Sequence, residues 1–205
     1  MKALILVDLQ CDFCEGGALE VKNSNIVINV ANKMIRLFEK DNNFIVATKD
    51  WHPKAHKSFA INSNKTIGEL GVLNGLAQVF WPVHCVQDEK GSSLHPNLFP
   101  IKNIVYKGTD IEVDSYSAFF DNGKIHKTEL DSILKANNID TLYIMGLATD
   151  YCVKFTVLDA LSLGYKVFVI KDGCMGVNIS KDDSIKAFQE MKANGATIIS
   201  SDELL

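Results

Sequence analysis

Only one of the chain's 21 basic residues is an arginine, Arg36. Guanidinium forks are the usual means of gripping phosphates and carboxylates, so a protein built on that recognition is excluded. A basic surplus is also missing: 21 Lys and Arg stand against 25 Asp and Glu, for a net charge of −4. Nucleic acid is therefore not an expected partner, because neutralising its phosphates needs a basic surface. No apolar run approaches the ~18 residues that cross a bilayer, so no membrane partner is expected either. The opening MKALILVDLQ is too short in its apolar part to be a secretory signal. Asp8 interrupts it and no small-residue cleavage site follows, which points to a cytoplasmic protein. The five cysteines are odd in number and spread along a long chain, so reduced thiols are expected. Cys11 and Cys14 form a C-x-x-C, but no second pair completes a zinc ribbon, and Glu15-Gly16-Gly17 reads as a loop.

What is present is an ordinary globular balance: 205 residues, 47% hydrophobic and 22% charged. That is the size of one compact domain, residues 1–205, without repeat, linker or low-complexity tract. Apolar runs of strand length recur at 3–7, 44–48, 104–106, 142–145, 167–170 and 197–199. Helical patterns stand between them at 26–38, around 130–135, at 150–163 and from a Ser180-x-x-Asp183 box to about residue 192. In the first helix, Ile26, Val30, Met34, Leu37 and Phe38 form the expected apolar face. The helix 150–163 is apolar nearly all round, which predicts burial and leaves room for contact between copies of the chain as a homo-oligomer. Residues 51–100 read as irregular. Continuous apolar strands alternating with helices predict an α/β, doubly wound sandwich: a six-stranded, mostly parallel sheet flanked by helices, as a single domain.

Such folds bind ligands beyond the carboxyl ends of their strands, where chemistry-bearing residues gather. The first strand ends in Asp8, the second in Asp50, the third at Lys107, and the fourth leads through GLATDY to Cys152. Each has a bland reading as a loop cap, a solvated lysine or a core thiol. Together they form a set suited to acyl transfer. Cys152 falls near a helix start, where the dipole and Lys107 are expected to lower its pKa toward a thiolate. A carboxylate such as Asp8 can take the thiol proton and deliver it to a leaving amine. Asp50 and His52, two residues apart in extended chain, point to one side and suit zinc, iron or manganese. His84 is a candidate third ligand, with His56 and His95 as competitors; a hydrogen-bonded loop is the other reading of the same spacing.

Longer motifs carry a resemblance. VDLQCDFCEGGAL at 7–19, ATKDWHPKAHKSF at 47–59, QVFWPVHCVQ at 78–87, YKGTD at 106–110, DSYSAFFD at 114–121 and GLATDYCVKFTVLDA at 146–160 span the chain. They resemble, in order, the isochorismatase-like cysteine hydrolases and within them the nicotinamidases. The resemblance implies a catalytic triad of Asp8, Lys107 and Cys152. It implies an oxyanion hole from the N–H groups of Ala148 and Cys152, with a cis peptide between Leu147 and Ala148. It implies one divalent metal ion on Asp50, His52 and His84, with zinc the first expectation and iron or manganese the others. Phe13, Trp81, Tyr116 and Leu147 are expected to line the substrate site. The implied activity is hydrolysis of nicotinamide to nicotinate and ammonia through a Cys thioester, in NAD salvage, with pyrazinamide as a further substrate. Tyr151 stands where the family often has histidine; Cys11 and Cys14 lie outside its catalytic pattern. A related hydrolase of another small amide, and a non-enzymatic metal or thiol protein, are the readings to be separated from it.

Overall fold

The computed structural model describes residues 1–205. Its core is a six-stranded sheet in which every neighbouring pair is parallel. The strands are β1 (Lys2–Val7), β2 (Phe44–Asp50), β5 (Asn103–Lys107), β6 (Thr141–Leu147), β7 (Lys166–Met175) and β8 (Thr197–Ile199). Their spatial order is β5-β2-β1-β6-β7-β8, so the chain winds outward from β1 in one direction and then reverses. A parallel pair needs a crossover, and α1 (Ser24–Lys40), α2 (Leu130–Ala136), α3 (Lys154–Ser162) and α4 (Asp183–Ala193) lie between strands along the chain. Ala3 to Val7 in β1 have no exposed surface, as expected of a strand covered on both faces. The core joins β1, β6 and β7 to the inner face of α1 in one continuous cluster.

The elements follow the sequence reading with four differences. The buried face of α1 runs through Val27, Ile28, Ala31, Met34, Ile35 and Phe38, while Ile26 points to solvent. Residues 51–100 are not wholly irregular: β3 (Leu70–Leu73) and β4 (Leu76–Val79) form an antiparallel hairpin. Its signal is Asn74-Gly75, both with positive φ as a tight primed turn requires. The helix expected over 150–163 opens as a π-helical turn, Thr149–Val153, and continues as α3. Only one side of α3 is covered, through Thr156, Val157 and Ala160, and Phe155 is exposed, so the near-uniform apolar pattern did not mean full burial. The Ser180 box is half formed, with the Ser180 N–H donating to Asp183 Oδ2 at 2.6 Å, and the helix begins only at Asp183.

Gly146 holds the junction from which the later site is built. It pairs with Val7 on one side and Cys174 on the other, at φ +137°, and a Cβ there would stand 2.1 Å from the Val7 carbonyl oxygen. No side chain fits this backbone or this space. Gly146→Ala should lower stability by about 3 kcal/mol, or roughly 6–12 °C in thermal unfolding for a chain of this size. An unchanged melting temperature would contradict this account of the junction.

Candidate active site

The carboxyl ends of β1, β2, β5 and β6 converge as the sheet order requires, and Lys107 is where they meet. Its ammonium is fully buried and lies 2.9 Å from Asp8 Oδ2, in hydrogen-bond contact with Asp50 Oδ1, 2.9 Å from the Ser115 carbonyl and 3.5 Å from Cys152 Sγ. A lysine at a strand end is ordinarily solvated. Here two carboxylates hold it charged: burial alone would lower its pKa, but Asp50 and Asp8 outweigh that and raise it well above the usual value.

The two acids are pushed in opposite directions. Burial raises Asp8, and Lys107 only partly offsets it. Asp50 is equally buried, yet Lys107, His52 and His84 outweigh the desolvation and hold it well below the usual carboxylate range. Asp8 is thus the carboxyl able to take up a proton, and Asp50 the one that stays ionised; such divergence separates acid–base from ligand roles. Local bonds fix both. The Thr48 hydroxyl donates to Asp8 Oδ1 at 2.6 Å and accepts the Asp8 N–H at 3.1 Å. The Gln10 amide receives the Asp50 N–H at 2.8 Å and donates to the Asp50 carbonyl at 2.7 Å. Gln10 escaped the sequence reading; its signal was its place in VDLQ, next to a strand end.

Asp50 faces two ways. While Oδ1 meets Lys107, Oδ2 lies 3.6 Å from His52 Nε2 and 3.9 Å from His84 Nε2. The Nδ1–H of His52 donates to the Gly108 carbonyl and that of His84 to the Pro82 carbonyl, each at 2.8 Å. Both rings are therefore fixed with Nε2 inward, the outer-sphere arrangement that orients metal-binding imidazoles. His52 Nε2 is buried with no hydrogen-bond partner. Burial and the neighbouring His52 push His84 and His56 down to about 4, whereas Asp50 outweighs burial at His52 and raises it above its usual value. One carboxylate oxygen and two imidazole nitrogens, all within 4.8 Å of one another, fit a divalent cation with open positions. His56 stands behind this set: its Nε2 is also buried without a partner, and it clusters with His52 and Asp114. His95 makes no such contact and is outside the site.

Cys152 lies in the π-helical turn, and its Sγ is within 4.8 Å of a carboxylate oxygen of each of Asp8 and Asp50. Contrary to the expectation of a lowered pKa, burial pushes this thiol well above its usual value, with Lys107 opposing and the two carboxylates adding to the rise. The lysine effect has the expected sign but is smaller than the cost of a buried anion beside two carboxylates. The resting group is a thiol next to a carboxyl that can accept its proton. The Leu147–Ala148 peptide is cis; Ala148 lines the same cleft, and its N–H has no acceptor among the backbone groups.

The cleft above Cys152 is walled by Phe13, Leu19, Trp81, Tyr116, Tyr151 and Val177. The Trp81 and Tyr151 rings are 4.9 Å apart, Tyr116 and Tyr151 5.3 Å, and the Trp81 indole donates to the Tyr116 oxygen at 3.2 Å. This is a slot for a flat ring. Three of the four expected wall residues are in it. Leu147 is not: it is wholly buried in the core, because the strand's alternation turns its side chain away from the cleft. Leu19, Tyr151, Asp114 and Val177 were missed; Tyr151 had drawn notice only as a departure from a pattern. All five cysteines are free, and Cys11 and Cys14 form no bond with each other.

Residues 2–203 match the family described as Isochorismatase domain. The chain is 54% identical over 199 residues to the nicotinamidase of Escherichia coli K12, an alignment covering 96% of this chain and 93% of that protein. A solved nicotinamidase/pyrazinamidase from Acinetobacter baumannii superposes with a TM-score of 0.94 at 39% identity, over 100% of this chain and 98% of the other. The pyrazinamidase of Pyrococcus horikoshii, solved in complex with zinc, superposes with a TM-score of 0.82 at 36% identity, over 97% and 98% of the two chains.

Removing Lys107 should expose how the buried charges are balanced. In metal-free protein, Lys107→Met should cost roughly 3–5 kcal/mol, because two carboxylates are left without their cation. The loss should grow from pH 5 to pH 8. Without the lysine, Asp8 loses the cation that partly offsets its burial and its folded pKa moves further above the unfolded one, so folding binds a proton and stability falls as pH rises. Chemical denaturation at the two pH values checks this; a loss that shrinks with rising pH would reverse the assignment.

Proposed function

The chain belongs to the isochorismatase family, and we propose that it hydrolyses nicotinamide to nicotinate and ammonia through a thioester on Cys152, with pyrazinamide as a second substrate. The carrying observation is the contact of Lys107 with Asp8, Asp50 and Cys152 at once, beneath an aromatic slot. The comparison with nicotinamidases that match this chain nearly end to end supports the same reading.

The pyridine ring lies between Trp81, Tyr116, Tyr151 and Phe13, with its carboxamide over Cys152. Asp8 takes the thiol proton as Sγ attacks the amide carbon, and Lys107 stabilises the charge that passes between them. The amide oxygen, now an oxyanion, is met by the Ala148 N–H together with that of Cys152. Asp8 gives its proton to the departing nitrogen, releasing ammonia and leaving the acyl group on Cys152. The ionised Asp8 then takes a proton from water as its oxygen attacks the thioester, and returns that proton to the departing thiolate, so that nicotinate leaves a restored thiol. Asp50, His52 and His84 would hold one divalent ion, for which zinc is the first choice, as in the pyrazinamidase solved with it. When bound, that ion supplies a Lewis-acidic anchor for the ring nitrogen and offsets the charge of Asp50. Nicotinate re-enters NAD synthesis, which gives the reaction its place in salvage.

Ammonia release from nicotinamide by the purified enzyme tests the reading directly. Cys152→Ala should remove it while leaving the melting temperature unchanged, and Asp8→Asn should reduce the rate by at least ~10²-fold, the scale of general acid–base effects. Turnover persisting in Cys152→Ala would exclude the thioester.

Benzamide keeps the carboxamide and lacks the ring nitrogen. It should be a far poorer substrate than nicotinamide, and His84→Ala should lose the bound metal, measured by elemental analysis, whereas His95→Ala should keep it. Equal hydrolysis of benzamide would remove the ring nitrogen from the anchoring role.

A further inference from the structure

One buried carboxylate beside the nucleophile has no part in the reaction above. Asp150 is 6% exposed, and its hydrogen bonds in the structure are to two backbone N–H groups: Val177 at 3.0 Å and Asn178 at 2.7 Å. It meets no lysine, arginine or histidine, so these dipoles are what hold its charge in place. Val177 is a wall of the substrate cleft and is half-buried, as Leu19, Tyr116 and Tyr151 are, whereas Phe13 and Trp81 are 5% and 4% exposed. After Met175 pairs with Leu147, β7 ends, and no backbone-to-backbone bond secures residues 176–179. The remaining ties are side-chain bonds of Asn178, which accepts the Ser184 N–H at 2.9 Å and donates to the Gly176 carbonyl at 3.2 Å. Gly176 is pressed into the same junction: a Cβ there would lie 2.1 Å from Ser184 Oγ and 2.9 Å from Asp150 Oδ1.

We propose that Asp150 is a positioning residue that holds Val177 against the substrate ring, so that the fit of the slot is set by a carboxylate that touches no substrate. The clamp ties the segment carrying Cys152 to the wall that Val177 supplies. The ring is gripped only while 176–178 is drawn in, and releasing these two N–H bonds frees that wall. This inference rests on nicotinamide being the substrate, and the wild-type enzyme's turnover tests that separately.

The test is a kinetic double-mutant cycle with nicotinamide. Asp150→Asn keeps the shape but presents one acceptor oxygen where two are needed. It should raise KM by about 5–10-fold with kcat within about 2–3-fold, the signature of lost ground-state and transition-state binding alike. In a Val177→Ala background, where the wall is already cut back, the same substitution should change KM by less than about 2-fold, because the two residues act as one unit. Gly176→Ala pushes on the junction from the Val177 side, with no residue of the Cys152 segment substituted, and should give the same KM-only pattern, absorbed by Val177→Ala. It carries the test if Asp150→Asn does not fold. Effects on KM that multiply in the double variants, or a loss confined to kcat, would overturn the proposal.

Discussion

A single buried ammonium organises this protein's site. Lys107 has essentially no contact with water, and its charge is matched by Asp50, which ends the neighbouring strand β2, and by Asp8, which follows the next strand, β1. Burying any one of these groups alone would carry a heavy desolvation cost; burying them together makes each the reason the others stay charged or keep a proton. The parallel sheet supplies the geometry, since β1, β2 and β5 run in register and deliver their carboxyl-terminal residues to one place. Stability and chemistry therefore share the same atoms.

The sharing divides the labour between two carboxylates of the same kind. Asp8, next to one cation, keeps a raised pKa; Asp50, next to the lysine and two imidazoles, stays ionised. Asp50 also joins the thiol chemistry to the cation-binding set, because its two oxygens face different partners. Asp50 belongs to both groups, so in the proposed reaction a ring held at the imidazoles would have its carboxamide at the sulfur. A thiol kept protonated by burial suits this arrangement, since the proton it gives up is the one the leaving nitrogen needs.

Around this centre the cleft is made by segments with little regular structure: the loop carrying Phe13 and Leu19, the Trp-Pro turn before His84, and the short run after β7 that carries Val177. Side-chain carboxylates replace the missing ladders. Asp12 accepts the Cys85 N–H at 2.7 Å, tying the Phe13 loop to the residue after His84, and Asp150 accepts the Val177 N–H at 3.0 Å, tying that wall to the Cys152 segment. Loops fixed by a few strong acceptors can be exact in position and still able to open.

The strands were legible in the sequence because each is a continuous apolar run, and so were their ends, because a charge must stop such a run: Asp8, Asp50 and Lys107 stood out for that reason. The resemblance carried by the longer motifs named the same residues along with His52, His84 and Cys152. Local pattern could not place what depends on contacts between distant segments. Leu147 reads like a wall residue beside Ala148, but the pleat turns it into the core. Tyr151 reads as an odd substitution, but it packs edge-on into the slot because Trp81 and Tyr116 arrive there from other loops. The Cys152 thiol looks activated by its helix start and its lysine, and only burial among two carboxylates reverses the sign. Residue type and period thus determined which groups this protein could use; solvent exclusion and the meeting of separate strands decided which of them touch, and which of them hold a proton.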